Sequence, residues 1–347
     1  MGAKLLEFDR ASEDKREIAD HLQAIAGATG ALADLVVWAD ELRRGPDARD
    51  RHDATRAALD LAIACGHVAD VHQSAFLSIH KLYAMRDDES YRAALESADH
   101  NLIDPEALAL GPVATALAEA APLLWPDLEQ ALARSGVPGA RRIPATLHVS
   151  ATAMFPRLTT ALGTGAVNLY QVDHGPDVTI VASATPTIVI GPRLVSDATP
   201  HAEVRALLAR AVTLLRPEHL AFAGLPVAEA IRLAVSVARL FGPPALRDAT
   251  ASLVGDADIQ RSNDELVKGA LSVKIRGRLE ELLRTLPALD VAAYVAASHR
   301  AADRAALLLD GDPAIVAALA GGHAHLIRAV AHPAWLPLRQ RLGLGVR

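Results

Sequence analysis

The chain has little of what specialised proteins commonly rely on. Its 347 residues include one cysteine, Cys65, which excludes an intramolecular disulfide framework and any zinc knuckle built from several thiolates. Aromatic residues make up only 3%, so alanine and leucine take core positions that other proteins give to rings. No run of about 18 uncharged apolar residues occurs, which argues against a membrane-spanning helix. Met1–Glu17 mixes charges with two leucines and lacks the apolar stretch of a secretory signal, so the expected location is the cytoplasm. Basic residues are almost all arginine, and the formal net charge is −6. A general nucleic-acid binder needs a basic face to neutralise phosphates, so that class is set aside. There is no G-x-S-x-G elbow, no Walker loop and no G-x-G-x-x-G after a strand. The expectation is therefore no cofactor and no resident metal.

What is present is mostly helix. Apolar residues are 51% and charged residues 22%, a globular composition long enough for two or three structural units. Ile18, Leu22, Ile25, Leu32, Leu35 and Val36 give Ser12–Leu42 a helical rhythm, weakened at Gly27 and Gly30. Residues 53–65 and 67–85 read as an antiparallel helical pair hinged at Gly66, of a length that tetratricopeptide units use. One pair is not a repeat array, so residues 1–135 are expected to form an N-terminal helical bundle, with a remnant helical repeat as one reading. Two Gly/Pro turn signals and a charge pair mark residues 136–144 as a linker.

Residues 145–347 form the expected second domain. Val167–Val172, Val178–Ser183 and Thr187–Gly191 are rich in Val, Ile and Thr, as half-buried strands of a small sheet should be. His174-Gly175-Pro176-Asp177 and Ala184-Thr185-Pro186 are turns, and the short second link predicts a hairpin of the last two runs. From Ala202 onward the pattern is helical, over 202–216, 226–240, 244–254, 257–285, 287–309, 312–319 and a tail of short pieces. The fold class is mainly α, and α+β in the second half, with a sheet of about three strands.

Two motifs carry a family resemblance. The strands read Val167-Asn-Leu-Tyr170-Gln-Val-Asp173, Ile180-Val-Ala-Ser and Ile188-Val-Ile-Gly191-Pro-Arg-Leu194, and a later helix reads His299-Arg-Ala-Ala302-Asp303-Arg304-Ala-Ala-Leu307-Leu308. Over roughly residues 145–310 this order resembles the soluble core of the CAAX prenyl endopeptidase family of gluzincin metallopeptidases. The N-terminal helices resemble the tetratricopeptide-type extensions of some bacterial relatives. The resemblance implies a gluzincin-like helical core, with a central helix that would carry H-E-x-x-H, two imidazoles and a general base on one face. Here that stretch is Arg210-Ala211-Val212-Thr213-Leu214, and the third ligand position is His299. Asp303, a supporting residue in the family, is retained. The resemblance thus implies the fold and removes the activity.

Each relict position has a plain alternative. Arg210 is either a solvated arginine or a fixed cation paired with Asp303, standing where zinc would sit. His299 and Asp303 are four apart on one helical face, a legitimate two-ligand spacing, yet two ligands are too few for a closed site. His201 and His219 flank the central helix too far apart to serve one metal with His299. His323, His325 and His332 read as surface histidines, and Cys65 as a small core residue.

The expected function is a catalytically inactive metallopeptidase-like protein, a pseudoenzyme acting as a protein-interaction or assembly module. Its partner is another protein; nucleic acid and a membrane span are not expected, and homo-oligomerisation is compatible. Thr187, Ile188, Val189 and Ile190 are the candidate partner-binding edge strand. The competing readings are a metal-dependent hydrolase with unorthodox ligands around His299 and Asp303, and a helical-repeat adaptor working through the N-terminal half.

Overall fold

In a computed structural model the described residues are 15–44, 52–67, 69–83, 91, 93–106, 110–144, 147, 149–253, 255–286 and 288–344. The described residues are mainly helical, and among them is one small four-stranded mixed sheet. It divides into two units, Met1–Ile103 with Asp303–Arg347, and Asp104–Ala302.

In the first unit, helices Lys15–Thr29 and Leu32–Arg44 are separated at Gly30, whose φ of 66° lies in the left-handed region. A Cβ there would also come 2.9 Å from the Ala324 carbonyl oxygen, so glycine lets the helix Ala324–Val330 approach closely. The expected helical pair is present as His52–Ala64 and Asp70–Tyr83, with Gly66 at φ 91° between them; residues 84 and 85 lie outside the described residues. Leu35, Trp38, Leu59, Leu61 and Trp335 are buried among these helices. Beyond the long helix Val291–Leu308, Asp310 adopts a left-handed φ of 66°, which a short carboxylate side chain tolerates. It accepts hydrogen bonds from Arg56 (3.0 Å) and Arg339 (2.9 Å), while Arg339 also donates to the Leu307 and Leu308 carbonyls at the end of that helix.

The second unit packs Gly111–Ala118, Pro217–Ala223, Val227–Phe241, Ala257–Ala270 and Val273–Arg284 around Leu117, Phe222, Leu233, Leu279 and Tyr294. The single helix expected over 257–285 is two helices broken at Leu271-Ser272. Ser272 supplies the reason, because its Oγ accepts from the Ile275 N–H at 3.4 Å and caps a new start.

The sheet has strands β1 (Arg141–Arg142), β2 (Asn168–Gln171), β3 (Val178–Val181) and β4 (Thr187–Ile190), in the order β1-β2-β4-β3. β1 pairs antiparallel with β2, β2 parallel with β4, and β3 antiparallel with β4, so the expected hairpin is present. Side chains alternate between faces. Val181 and Val189 lie with Ala131, Leu132 and Val137 on one face, and Ile180 lies with Leu214, Ala223 and Ala302 on the other. The loop from β2 to β3 passes the end of β4, where a Cβ on Gly191 would meet the Pro176 carbonyl oxygen at 2.5 Å. Only glycine fits that crossing.

Three expectations need correction. Residues 136–144 are not a linker, since they contain β1, and Val137 and Ile143 are buried. The boundary at residue 135 is not where the packing divides. Leu110, Val113 and Leu117 belong to the core of the second unit, and the helices Pro313–Leu319 and Ala324–Val330 pack on N-terminal helices. The third concerns Thr187, Ile188, Val189 and Ile190, which are not an edge: β4 is interior, paired on both sides and buried at all four residues. Its run of Val and Ile fits a buried strand as well as an exposed one, and order within a sheet is set by long-range pairing.

Candidate functional site

The relict-site positions sit on the helices His201–Leu214 and Val291–Leu308. Ala211 and Leu214 are buried, while Arg210 and His299 are half-buried. Leu214, the expected second-histidine position, packs in an apolar cluster with Ala223, Ala302 and the β3 residue Ile180. The structure therefore joins the central helix, the sheet and the later helix at one point, and fills that point with hydrocarbon. As a donor set for zinc, Arg210, Ala211, Leu214 and His299 supply one imidazole, which does not fit a metal that takes three or four ligands. Among the described residues no three His, Cys, Asp or Glu side chains are placed to hold a metal ion.

Asp303 belongs to the first unit, where its buried carboxylate lies 3.3 Å from His325 Nε2. His325 is thus turned inward, against the expectation of a surface histidine. Cys65 is half-buried, and burial pushes its thiol up to about 11, which leaves it protonated and unreactive at neutral pH.

A buried polar group that the sequence reading missed lies in the second unit. His219, on the helix Pro217–Ala223, places Nδ1 3.0 Å from Ser298 Oγ, and its Nε2 is 3.9 Å from Asp104 Oδ2. This looks like a Ser-His-Asp order, but the proton direction is wrong for catalysis. Ser298 Oγ also lies 3.0 Å from the Tyr294 carbonyl, which can only accept, so the hydroxyl donates there. His219 Nδ1 then donates to Ser298, whereas a nucleophilic serine must give its proton to the imidazole. Ser298 is also only 2% exposed. The group is a polar tie between helices.

Tyr294 continues it, donating its hydroxyl to the Glu218 carbonyl and meeting Phe222 edge-on at 5.8 Å. Burial pushes the Tyr294 phenol up, helped by the charges of Asp104 and Glu218. Burial likewise lowers the Arg216 guanidinium, against the opposing pull of its Glu218 partner and of Asp104. Reading the helix by its histidine drew attention to His299. Its neighbour Ser298, about 100° around the helix, is the side chain that faces His219.

The first unit holds two further polar clusters. His67 Nε2 is 2.7 Å from His72 Nδ1, and His72 Nε2 is 3.2 Å from Asp40 Oδ1. Burial raises the Asp40 carboxyl, but hydrogen bonds from Arg43 and His72 and the nearby Arg44 charge outweigh it and hold the group below the usual range. Arg56, Asp60, Asp310 and Arg339 border a cavity of about 20 Å³. That volume holds a water molecule and falls far short of the roughly 300 Å³ a small metabolite needs.

The remaining feature is the outer edge of the sheet. Gly191 N–H donates to the Asp177 carbonyl at 2.9 Å, and residues 177 and 191 are opposite one another in the β3–β4 register. Antiparallel ladders alternate, so Thr179 and Val181 also bond to β4, and the N–H and C=O groups of Val178 and Ile180 point away from it. The strand reads Val-Thr-Ile-Val, with none of the charges or prolines that usually protect an edge. At its start Asp177 is paired with Arg193 (2.5 Å and 3.0 Å), which also pairs with Glu203. The Arg193 hydrogen bonds hold the Asp177 carboxyl below its usual value against mild burial. Comparison with family models, with curated proteins and with solved structures finds no match to this chain.

Proposed function

We propose that this chain is a catalytically inactive protein of metallopeptidase-like build that acts by binding protein, as an interaction or assembly module, with β3 as its binding edge. The observation that carries the reading is the outward set of N–H and C=O groups on Val178 and Ile180, two donors and two acceptors on a neutral strand. An added strand would complete the ladder there, as in β-augmentation. The apolar packing of Leu214 against Ala302 and Ile180 supports the absence of peptidase chemistry. The metallopeptidase-like build rests on the sequence resemblance.

Metal analysis of protein purified without a histidine tag tests the non-catalytic half. Zinc well below one per chain is expected, with no peptide hydrolysis on adding zinc. One zinc per chain, lost on His299→Ala, would overturn it in favour of the hydrolase with ligands around His299 and Asp303. For the binding half, a partner held by the wild-type chain should be lost with Val178→Pro, which removes an outward N–H; equal capture would contradict the reading.

A further inference from the structure

We infer that His67, His72 and Asp40 form an acid-sensitive latch, which ties the start of the helix Asp70–Tyr83 to its neighbours near neutral pH and releases it when both imidazoles are charged. The three side chains come from three pieces of the first unit. Asp40 lies on the helix Leu32–Arg44, His67 follows Gly66, and His72 is in the first turn of Asp70–Tyr83. His72 is buried and stands in the middle, with Nδ1 2.7 Å from His67 Nε2 and Nε2 3.2 Å from Asp40 Oδ1. Both of its ring nitrogens are committed, whereas the half-buried His67 commits only Nε2.

Protons can be placed along this line in only a few ways. Burial works against the Asp40 carboxylate, but hydrogen bonds from Arg43 and His72 and the Arg44 charge keep it ionised near neutral pH, so it only accepts. His72 Nε2 therefore carries a hydrogen, and in the neutral pair His67 Nε2 donates to His72 Nδ1. One added proton goes to His67 Nδ1 and leaves that bond in place. A second puts hydrogens on both facing nitrogens. Two cations at that distance, with no lone pair between them, must separate.

The surroundings do not relieve this. Asp40 is already paired with Arg43 at 2.9 Å and with Arg44 at 2.6 Å, so its single charge cannot balance two imidazolium ions. These three are the charged groups that the helix Leu32–Arg44 brings to the pair. No charged side chain of His52–Ala64 bonds to either imidazole among the described residues, and Asp70, on the same helix as His72, is exposed. In the unfolded chain both histidines charge independently as pH falls through about 6.5. The open form then binds more protons than the latched one, so acid favours opening and a rise in pH favours closure.

The test compares the full tag-free chain with His67→Gln at about pH 7.5 and about pH 5, on either side of an ordinary histidine. Glutamine keeps both a donor and an acceptor for His72 Nδ1 and takes no charge. The His67, His72 and Gln73 amides bond to the Ala62 and Ala69 carbonyls and report on the latch. Their protection factors should fall by about tenfold in acid in the wild type, as one hydrogen bond to a charged group is lost, and should hold in the variant. An equal fall in both chains, or none in the wild type, overturns the inference. Imidazole nitrogen resonances of the wild type decide the matter even where the variant fails to fold: His72 must be the Nε2–H tautomer near neutral pH, and the Nδ1–H form would overturn the latch.

Discussion

β3 and β4 are two arms of one hairpin with nearly the same composition, Val-Thr-Ile-Val against Thr-Ile-Val-Ile, and they have opposite roles. β4 is bonded on both sides and buried at every residue; β3 is bonded on one side and half-buried for most of its length. The difference comes from outside the hairpin. The parallel partner β2 occupies one flank of β4, and the loop crossing at Gly191 places β3 on the other. A strand's neighbours, more than its own residues, decide whether it holds the fold together or offers a surface.

The comparison breaks most visibly on truncation. Ile188→Ala in β4 removes a fully buried side chain and should cost about 3–5 kcal/mol in urea unfolding, whereas Val178→Ala in β3 should cost under about 1 kcal/mol. Equal losses would mean that the two strands are equally interior. A smaller effect comes from the ion pair at the start of β3. Because the folded Asp177 carboxyl sits below its unfolded value of 3.8, its contribution is present above that pH and is lost as pH falls through the lower folded value. Its side chain is 39% exposed, so Asp177→Asn should cost no more than about 0.5 kcal/mol at neutral pH. The deficit should shrink in acid and in high salt. β4 carries no ionisable side chain, and Ile188→Ala should show neither dependence. A large, salt-insensitive Asp177 effect would make the start of β3 part of the core.

Much of this was legible in the sequence, for local reasons. The β-branched runs at 167–172, 178–183 and 187–191 located β2, β3 and β4, and the short 184–186 turn gave the hairpin. Gly66 marked a real break because its φ favours glycine, whereas Gly30, expected only to weaken one helical stretch over Ser12–Leu42, divides it into two helices. What stayed hidden depends on distant partners. Arg141 and Arg142 read as linker because nothing in two arginines announces a strand, and only their pairing with β2 makes them one. Pairing with β2 also put β4 in the interior, against its reading as an edge. The C-terminal helices belong with the N-terminal ones through packing across some 300 residues of sequence, which periodicity cannot register. Of the candidate site residues, Leu214 packs in an apolar cluster against Ala302, the chain neighbour of Asp303. His219, Ser298 and His325 were missed or misplaced because burial of a single polar side chain leaves no pattern in the chain.

The most direct test of the edge is amide exchange across the hairpin in dilute wild-type protein. The account predicts alternation in β3, with Thr179 and Val181 slow and Val178 and Ile180 fast, beside uniform protection of Thr187, Ile188, Val189 and Ile190 in β4. Uniform protection of β3 under those conditions, or fast exchange at Ile188 and Ile190, would contradict it.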